Sequence, residues 1–320
     1  MKKKIEILFK DLIIQRLANN EYQNNMIMKQ LLKTTLFCIL CLWLGSCSMI
    51  DFSEDCNYTG DVKVLFNWQN LPNGDKKPER MQTIFYPDNG LLSSYQLAGD
   101  TLLTGLPATQ HEVLSFNQPE GLTFHETDCP CTAYAKADTY TKNGKTYAGN
   151  APGLYAAKTN IVIPVSERAQ CVLSPESCTR QVVIDFVIPD NGTVLNVEDI
   201  SGEISGVQTS YLFMNMEAML SDADMEYSTI QVQLGIFRSS SRVFGMNPEK
   251  VDGNKTDNIL AIGLTLSNGT YHQSTLNLTR QFDGFVERII HITLEVWIRY
   301  AGIEVGVANW YTAEEDNIEI

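Results

Sequence analysis

His125-Glu126-Thr127-Asp128-Cys129-Pro130-Cys131 brings an imidazole, carboxylates and two thiols into seven residues, the densest chemical cluster of the chain. Donors of this kind suit a soft metal such as zinc, with His125, Cys129 and Cys131 as ligands. The Cys-x-Cys spacing is tighter than in structural zinc sites, and no second cysteine pair follows at a suitable distance. A loop with one partnered and one free thiol is therefore the competing reading. Cys129 and Cys131 are too close for an easy mutual disulfide, whereas Cys171 and Cys178 bracket the short loop VLSPES and could bridge its ends. The remaining connectivity cannot be derived from spacing. Tyr134, Tyr140, Tyr147 and Tyr155 fall in one stretch. Exposed tyrosines stack on sugars or partner proteins, so these four are candidate ligand contacts, against the plainer reading of a loop packed over its own domain. No G-x-S-x-G elbow is present, and Gly144-Lys145-Thr146 lacks the upstream glycine of a phosphate loop. The four histidines, His111, His125, His272 and His291, are dispersed. No enzyme and no cofactor are expected.

The remaining reactive side chain is Cys47. Lys29 and Lys33 precede an apolar run from Thr34 to Leu44, which ends in Leu44-Gly45-Ser46-Cys47. A membrane-spanning helix needs about 20 apolar residues, so this run is short for that role; a basic start, a short apolar stretch and a small-residue exit describe a secretory signal. Leu44-Gly45-Ser46-Cys47 resembles the lipobox of bacterial lipoproteins. The resemblance implies cleavage between Ser46 and Cys47, with acyl chains such as palmitate carried by the new N-terminal cysteine. Several chains anchor stably where one is marginal. Residues 1–27 are charged and mixed, unlike a signal peptide. An over-extended start, with Met26 or Met28 as the true one, accounts for them, and a cytoplasmic extension is the alternative. Residues 1–46 are set apart from the fold.

Of 24 basic and 38 acidic residues, these 46 carry 7 and 3, which leaves 17 and 35 and a formal charge near −18. Such a surface repels nucleic acid and anionic headgroups, so lipid must hold the chain to a membrane in place of a basic patch.

From Cys47 onward the pattern is β throughout, with period-two alternation. DVKVLFNW (61–68), MQTIFYP (81–87), LLSSYQL (91–97), TLLTGL (101–106), HEVLSFN (111–117) and IVIPV (161–165) fill the first half. TRQVVIDFVIP (179–189), TIQVQLGIF (229–237), NILAIGLTL (258–266), YHQSTLNLT (271–279) and FVERIIHITLEVWIRY (285–300) fill the second. MNMEAML (214–220) reads as a short helix, and Trp68, Trp297 and Trp310 read as core. Strands recurring at this spacing suggest sandwiches, and 274 residues suit two domains. The expected organisation is a lipidated tether over 47–59, an N-terminal β-sandwich over 60–178 and a C-terminal β-sandwich over 179–320.

Cys56-Asn57-Tyr58-x-Gly60-x-Val62-x-Val64-x-Phe66-x-Trp68, then Met81-x-x-Ile84-Phe85-Tyr86-Pro87-x-x-Gly90, resembles the opening of Bacteroidales surface lipoproteins related to fimbrillins and fimbrium anchors. Gly302-Ile303-Glu304-Val305-x-Val307-x-Asn309-Trp310 resembles the closing strand of the same group. The resemblance implies an all-β chain of two tandem transthyretin-like, Greek-key sandwiches. It also implies a non-enzymatic outer-membrane lipoprotein, facing the cell surface as a fimbrium anchor or accessory adhesin subunit. Its partners would be fimbrial or other surface proteins, bound by β-strand addition. A surface glycan-binding lipoprotein is the alternative. Residues 118–160 lie outside the resemblance.

Overall fold

The computed structural model describes residues 58–72, 74–88, 91–189, 197–219, 221–246, 256–299 and 302–313. Ser46, Cys47 and Cys56 lie outside the described residues. The strands of the first half are β1 (Thr59–Phe66), β2 (Met81–Pro87), β3 (Ser93–Leu97), β4 (Thr101–Pro107), β5 (Gln110–Phe116), β6 (Leu122–His125), β7 (Tyr134–Ala137), β8 (Thr139–Lys142), β9 (Lys145–Ala148), β10 (Tyr155–Val162), β11 (Arg168–Leu173) and β12 (Glu176–Ser177). Those of the second are β13 (Arg180–Val187), β14 (Val197–Gln208), β15 (Ser210–Leu212), β16 (Glu217–Ala218), β17 (Ala223–Ser228), β18 (Ile230–Gln233), β19 (Ile236–Val243), β20 (Gly245–Met246), β21 (Ile259–Leu266), β22 (Tyr271–Asn277), β23 (Ile289–Arg299) and β24 (Gly302–Ala313). The single α-helix among the described residues is α1 (Thr279–Phe282).

The chain is all-β, as expected, and forms two sandwiches in tandem. In the first, the sheet β11-β1-β4 faces the sheet β12-β10-β5-β2-β3. β1 runs parallel to β11 and antiparallel to β4, so non-consecutive strands lie side by side. Val62 and Val64, the apolar phase of the first alternation, are fully buried between the layers with Phe85, Val113 and Leu173. β2 is buried at nearly every position because its sheet is covered on both faces. Phe85 points into the sandwich core, while Ile84 and Tyr86 pack with Phe116 and Phe213 on the other side. A strand covered twice reads as a continuous apolar run, the pattern of MQTIFYP.

The second sandwich packs β18-β19-β13-β23-β24 against the longer sheet β22-β21-β14-β17-β9-β8. Its core holds Ile184, Phe186, Ile200, Leu260, Ile262, Ile290, Ile292 and Leu294. β13 pairs in parallel with β23 and antiparallel with β19.

Residues 122–148 come early in the chain yet pair with late strands. β6 and β7 join β15 and β16 in a four-stranded sheet, with Tyr211 opposite Ala135. β9 adds beside β17 at Asp224–Tyr147, and β8 extends that edge. The segment outside the family resemblance is thus the one that ties the halves together.

Three local expectations are corrected. Residues 214–218 of MNMEAML form a turn and then β16, because Met216 adopts φ 55°, a left-handed conformation that a helix interior does not admit. TIQVQLGIF is two strands, broken at Gly235, whose φ of 76° favours glycine. Trp310 is 43 % exposed on β24, an outer strand, rather than in the core.

Candidate functional site

Along β14, Ile200 and Ile204 enter the core, so Ser201 and Glu203 face outward; on β21, Leu260, Ile262 and Leu264 enter it, so Ala261 and Gly263 face outward. Glu226 of β17 lies directly opposite Glu203. On β22, Tyr271, Gln273 and Thr275 are exposed. These strands line an open depression of about 670 Å³. Gly263 makes part of its floor: a Cβ there would lie 2.5 Å from the Tyr271 hydroxyl oxygen and 3.0 Å from its ring edge. The Tyr271 ring therefore leans onto the glycine while remaining 61 % exposed. Tyr227 approaches from the core side, and its hydroxyl donates to the Ala261 carbonyl at 3.0 Å.

Two carboxylates facing each other across strands repel. The β8–β9 hairpin relieves this. Tyr140 donates to Glu226 at 2.6 Å and Lys142 pairs with Glu226. Lys145 reaches Glu203 at 2.7 Å and Asp224 at 2.9 Å, and Tyr147 donates to Glu203 at 2.5 Å. Hydrogen bonds from Lys145 and Tyr147 lower the Glu203 pKa, and bonds from Lys142 and Tyr140 lower that of Glu226. The rings of Tyr140 and Tyr147 stack at 5.4 Å.

On the opposite sheet a polar row crosses four strands. Arg238 grips Asp185 through two hydrogen bonds of 2.7 and 2.9 Å. His291 Nε2 lies 2.8 Å from Asp185, and His291 Nδ1 lies 2.8 Å from the Tyr311 hydroxyl. Burial alone would raise the Asp185 carboxyl, but hydrogen bonds from Arg238 and His291 outweigh it and hold the group at about 2. Asp185 and His291 are both buried. The row ties four strands of the sheet together.

The four candidate tyrosines do not converge. Tyr140 and Tyr147 border the depression, Tyr134 stacks on His125 at 4.8 Å, and Tyr155 is buried against Trp68 with its hydroxyl on Asp75. The metal reading for His125, Cys129 and Cys131 is corrected, because Cys129 and Cys131 form a disulfide with each other. Their Cα atoms stand 5.4 Å apart, within the ordinary reach of a bridge, so the spacing judged too tight suffices once the loop folds around Pro130. No group of three or more metal-binding side chains occurs among the described residues. The Cys171–Cys178 bridge is corrected too: both thiols are free and buried, Cys171 in the first sandwich core and Cys178 in the cluster around Phe213. Burial raises their pKa values to about 11 and about 12. The depression itself drew no attention in the sequence. Its available signal was Gly263 within the strand pattern NILAIGLTL, since strand glycines mark close approaches.

Residues 46–197 match the family model described as a domain of unknown function, DUF5119. No curated protein matches the sequence. In structure the chain is similar to a candidate adhesin from Bacteroides ovatus, with 16 % identity, 71 % of this chain and 85 % of that chain covered, and a TM-score of 0.55. It is also similar to a candidate cell adhesion protein from Bacteroides eggerthii, at 10 % identity, 80 % and 96 % coverage and a TM-score of 0.52. A candidate polysaccharide-binding protein from Bacteroides thetaiotaomicron aligns at 10 % identity, 81 % and 100 % coverage and a TM-score of 0.50. The β-sandwich fold expected from the fimbrillin-related resemblance is thus the fold these Bacteroides proteins share with this chain.

Proposed function

We propose that this chain is a non-enzymatic surface lipoprotein of the outer membrane, which anchors or joins a fimbria-like polymer and holds partner subunits by β-strand addition. Cleavage between Ser46 and Cys47 frees a cysteine for acylation, residues 47–59 serve as the tether, and the bodies over 60–178 and 179–320 engage partners. The match to DUF5119 begins at residue 46, one residue before Cys47, which supports a boundary at this point. No helix among the described residues is long and apolar enough to cross a membrane.

The observation that carries the reading is the edge strand β18. It ends the sheet β18-β19-β13-β23-β24, and all four of its residues are exposed. Ile230, Val232 and, in the adjoining turn, Leu234 are exposed by 69, 42 and 92 %. Soluble proteins usually blunt such an edge with charge or proline. Here neither charge nor proline guards the edge, and only its shortness and a bulge between Gln231 and Gln233 limit it. An incoming strand gains affinity from main-chain groups and specificity from alternate side chains. Fold likeness to adhesins supports the same reading.

Replacing Ile230 and Val232 by Lys in the native host tests it. The variant is expected to fold and reach the surface, while polymer subunits no longer co-purify with it after mild detergent extraction. Undiminished co-purification would remove β18 from the account.

A further inference from the structure

We propose that the depression on the outer face of the β22-β21-β14-β17-β9-β8 sheet binds a neutral oligosaccharide chain, with Tyr271 as its stacking platform. The inference stands apart from the anchoring reading, which concerns a strand edge on the other sheet.

The first argument is the ring. Tyr271 leans over Gly263, where no side chain lifts it, and its outward side is 61 % exposed. A flat aromatic surface held open to solvent is unfavourable to leave bare, and it suits the apolar C–H face of a pyranose.

The second argument is the lining. Beside the ring stand Gln273, Thr275 and Ser201, then Glu203 and Glu226. Amides and hydroxyls can both donate and accept, and each carboxylate oxygen keeps acceptor capacity beyond the Lys and Tyr bonds it already receives. Sugar hydroxyls need this mixture of donors and acceptors. The volume of about 670 Å³ lies in the range of small-molecule sites.

The third argument is charge. Glu203, Glu226 and Asp224 are set against Lys142 and Lys145, which leaves one surplus negative charge at the site. That is too little to favour a basic peptide, while the net charge of −14 on the whole chain disfavours acidic glycans. An uncharged polar ligand remains.

The length of the ligand follows from the sheet. Tyr140, 42 % exposed and stacked on Tyr147, offers a second ring at the far edge of the same face. Its hydroxyl lies 2.6 Å from Glu226, so the ring adjoins the depression from the β8 side while Tyr271 stands on β22 at the other end of the sheet, a spread that suits a chain better than a monosaccharide.

The test is isothermal titration of the full chain with maltohexaose, cellohexaose, mannohexaose and N-acetylchitohexaose, with glucose as the short control and oligolysine as the cationic rival. At least one hexasaccharide is expected to bind more tightly than glucose. Tyr271→Ala is expected to weaken that binding roughly tenfold, the equivalent of one aromatic contact, while Tyr271→Phe retains it. Gln273→Ala, on the exposed face of the same strand, is a second variant should Tyr271→Ala fail to fold, and it is expected to weaken binding as well. No binding by any hexasaccharide, binding of oligolysine alone, or binding that survives both alanine variants would overturn the proposal. Loss of sugar binding with co-purification of polymer subunits intact separates this site from the anchoring edge.

Discussion

Lys145 Nζ sits 2.7 Å from Glu203 Oε1, joining residues 58 positions apart, one in the hairpin β8–β9 and one in the sheet of the second sandwich. Glu203 and Glu226 face each other across β14 and β17, so this strand pair carries a built-in repulsion that the hairpin's cations relieve. Lys145 is 54 % exposed and Lys142 is 53 % exposed, so each pair has the modest worth of a solvated contact. The double variant Lys142→Ala/Lys145→Ala is expected to lose about 1–2 kcal/mol in chemical denaturation. The difference from wild type should shrink as salt is raised, because screening weakens exposed pairs. A salt-independent difference would contradict this role.

The Asp185 row behaves differently because it is buried. A carboxyl held at about 2, below its ordinary 3.8, favours the folded state. That contribution is complete above the unfolded value and is lost as pH falls from about 4 toward about 2. The shift corresponds to about 2 kcal/mol of stability at neutral pH. Asp185→Asn should cost more than this, about 3–5 kcal/mol, because Arg238 and His291 then lose a buried anionic partner. Unfolding free energy measured against pH should show a shallower acid limb in the variant, with Glu203 and Glu226 keeping their share. An unchanged limb would place the acid sensitivity elsewhere.

The cysteines can be read by mass mapping. Without reduction, the tryptic peptide that holds Cys129 and Cys131 is expected to be lighter by two hydrogens and to resist alkylation. Cys171 and Cys178 should take no iodoacetamide in the native chain, since buried thiols with pKa values raised to about 11 and about 12 carry almost no thiolate. Both should alkylate fully after unfolding. A bridged Cys171–Cys178 peptide would reverse the assignment.

Gly202 tests the packing beneath the depression. A Cβ there would stand 1.9 Å from the Ala261 carbonyl oxygen and 3.0 Å from the Tyr227 hydroxyl. Backbone cannot swing aside as a long side chain does, so Gly202→Ala is expected to destabilise by about 1–3 kcal/mol. Stability within error of wild type would mean that the strands separate at little cost.

The strands were legible because period-two alternation survives wherever one sheet face is buried. β2 and β21 fall almost where MQTIFYP and NILAIGLTL place them. Breaks set by backbone conformation were harder to see. Gly235 splits one apparent strand and Met216 unmakes one apparent helix, and each acts through a single dihedral that hydrophobic pattern does not record. Pairing was the least legible level. Cys129 and Cys131 join across one proline, while Cys171 and Cys178 enter separate cores despite their spacing. The depression was hidden for a similar reason, since Tyr271, Gly263, Glu203 and Glu226 come from four strands that only the folded sheet brings together.

The central claim is that lipid on Cys47 moors this pair of sandwiches at the cell surface. Mass spectrometry of the N-terminal peptide of protein purified from its native host tests it most directly. The account predicts a chain that begins at Cys47 and carries acyl groups. An unmodified Cys47 in a chain that still carries Ser46 and the residues before it would contradict it.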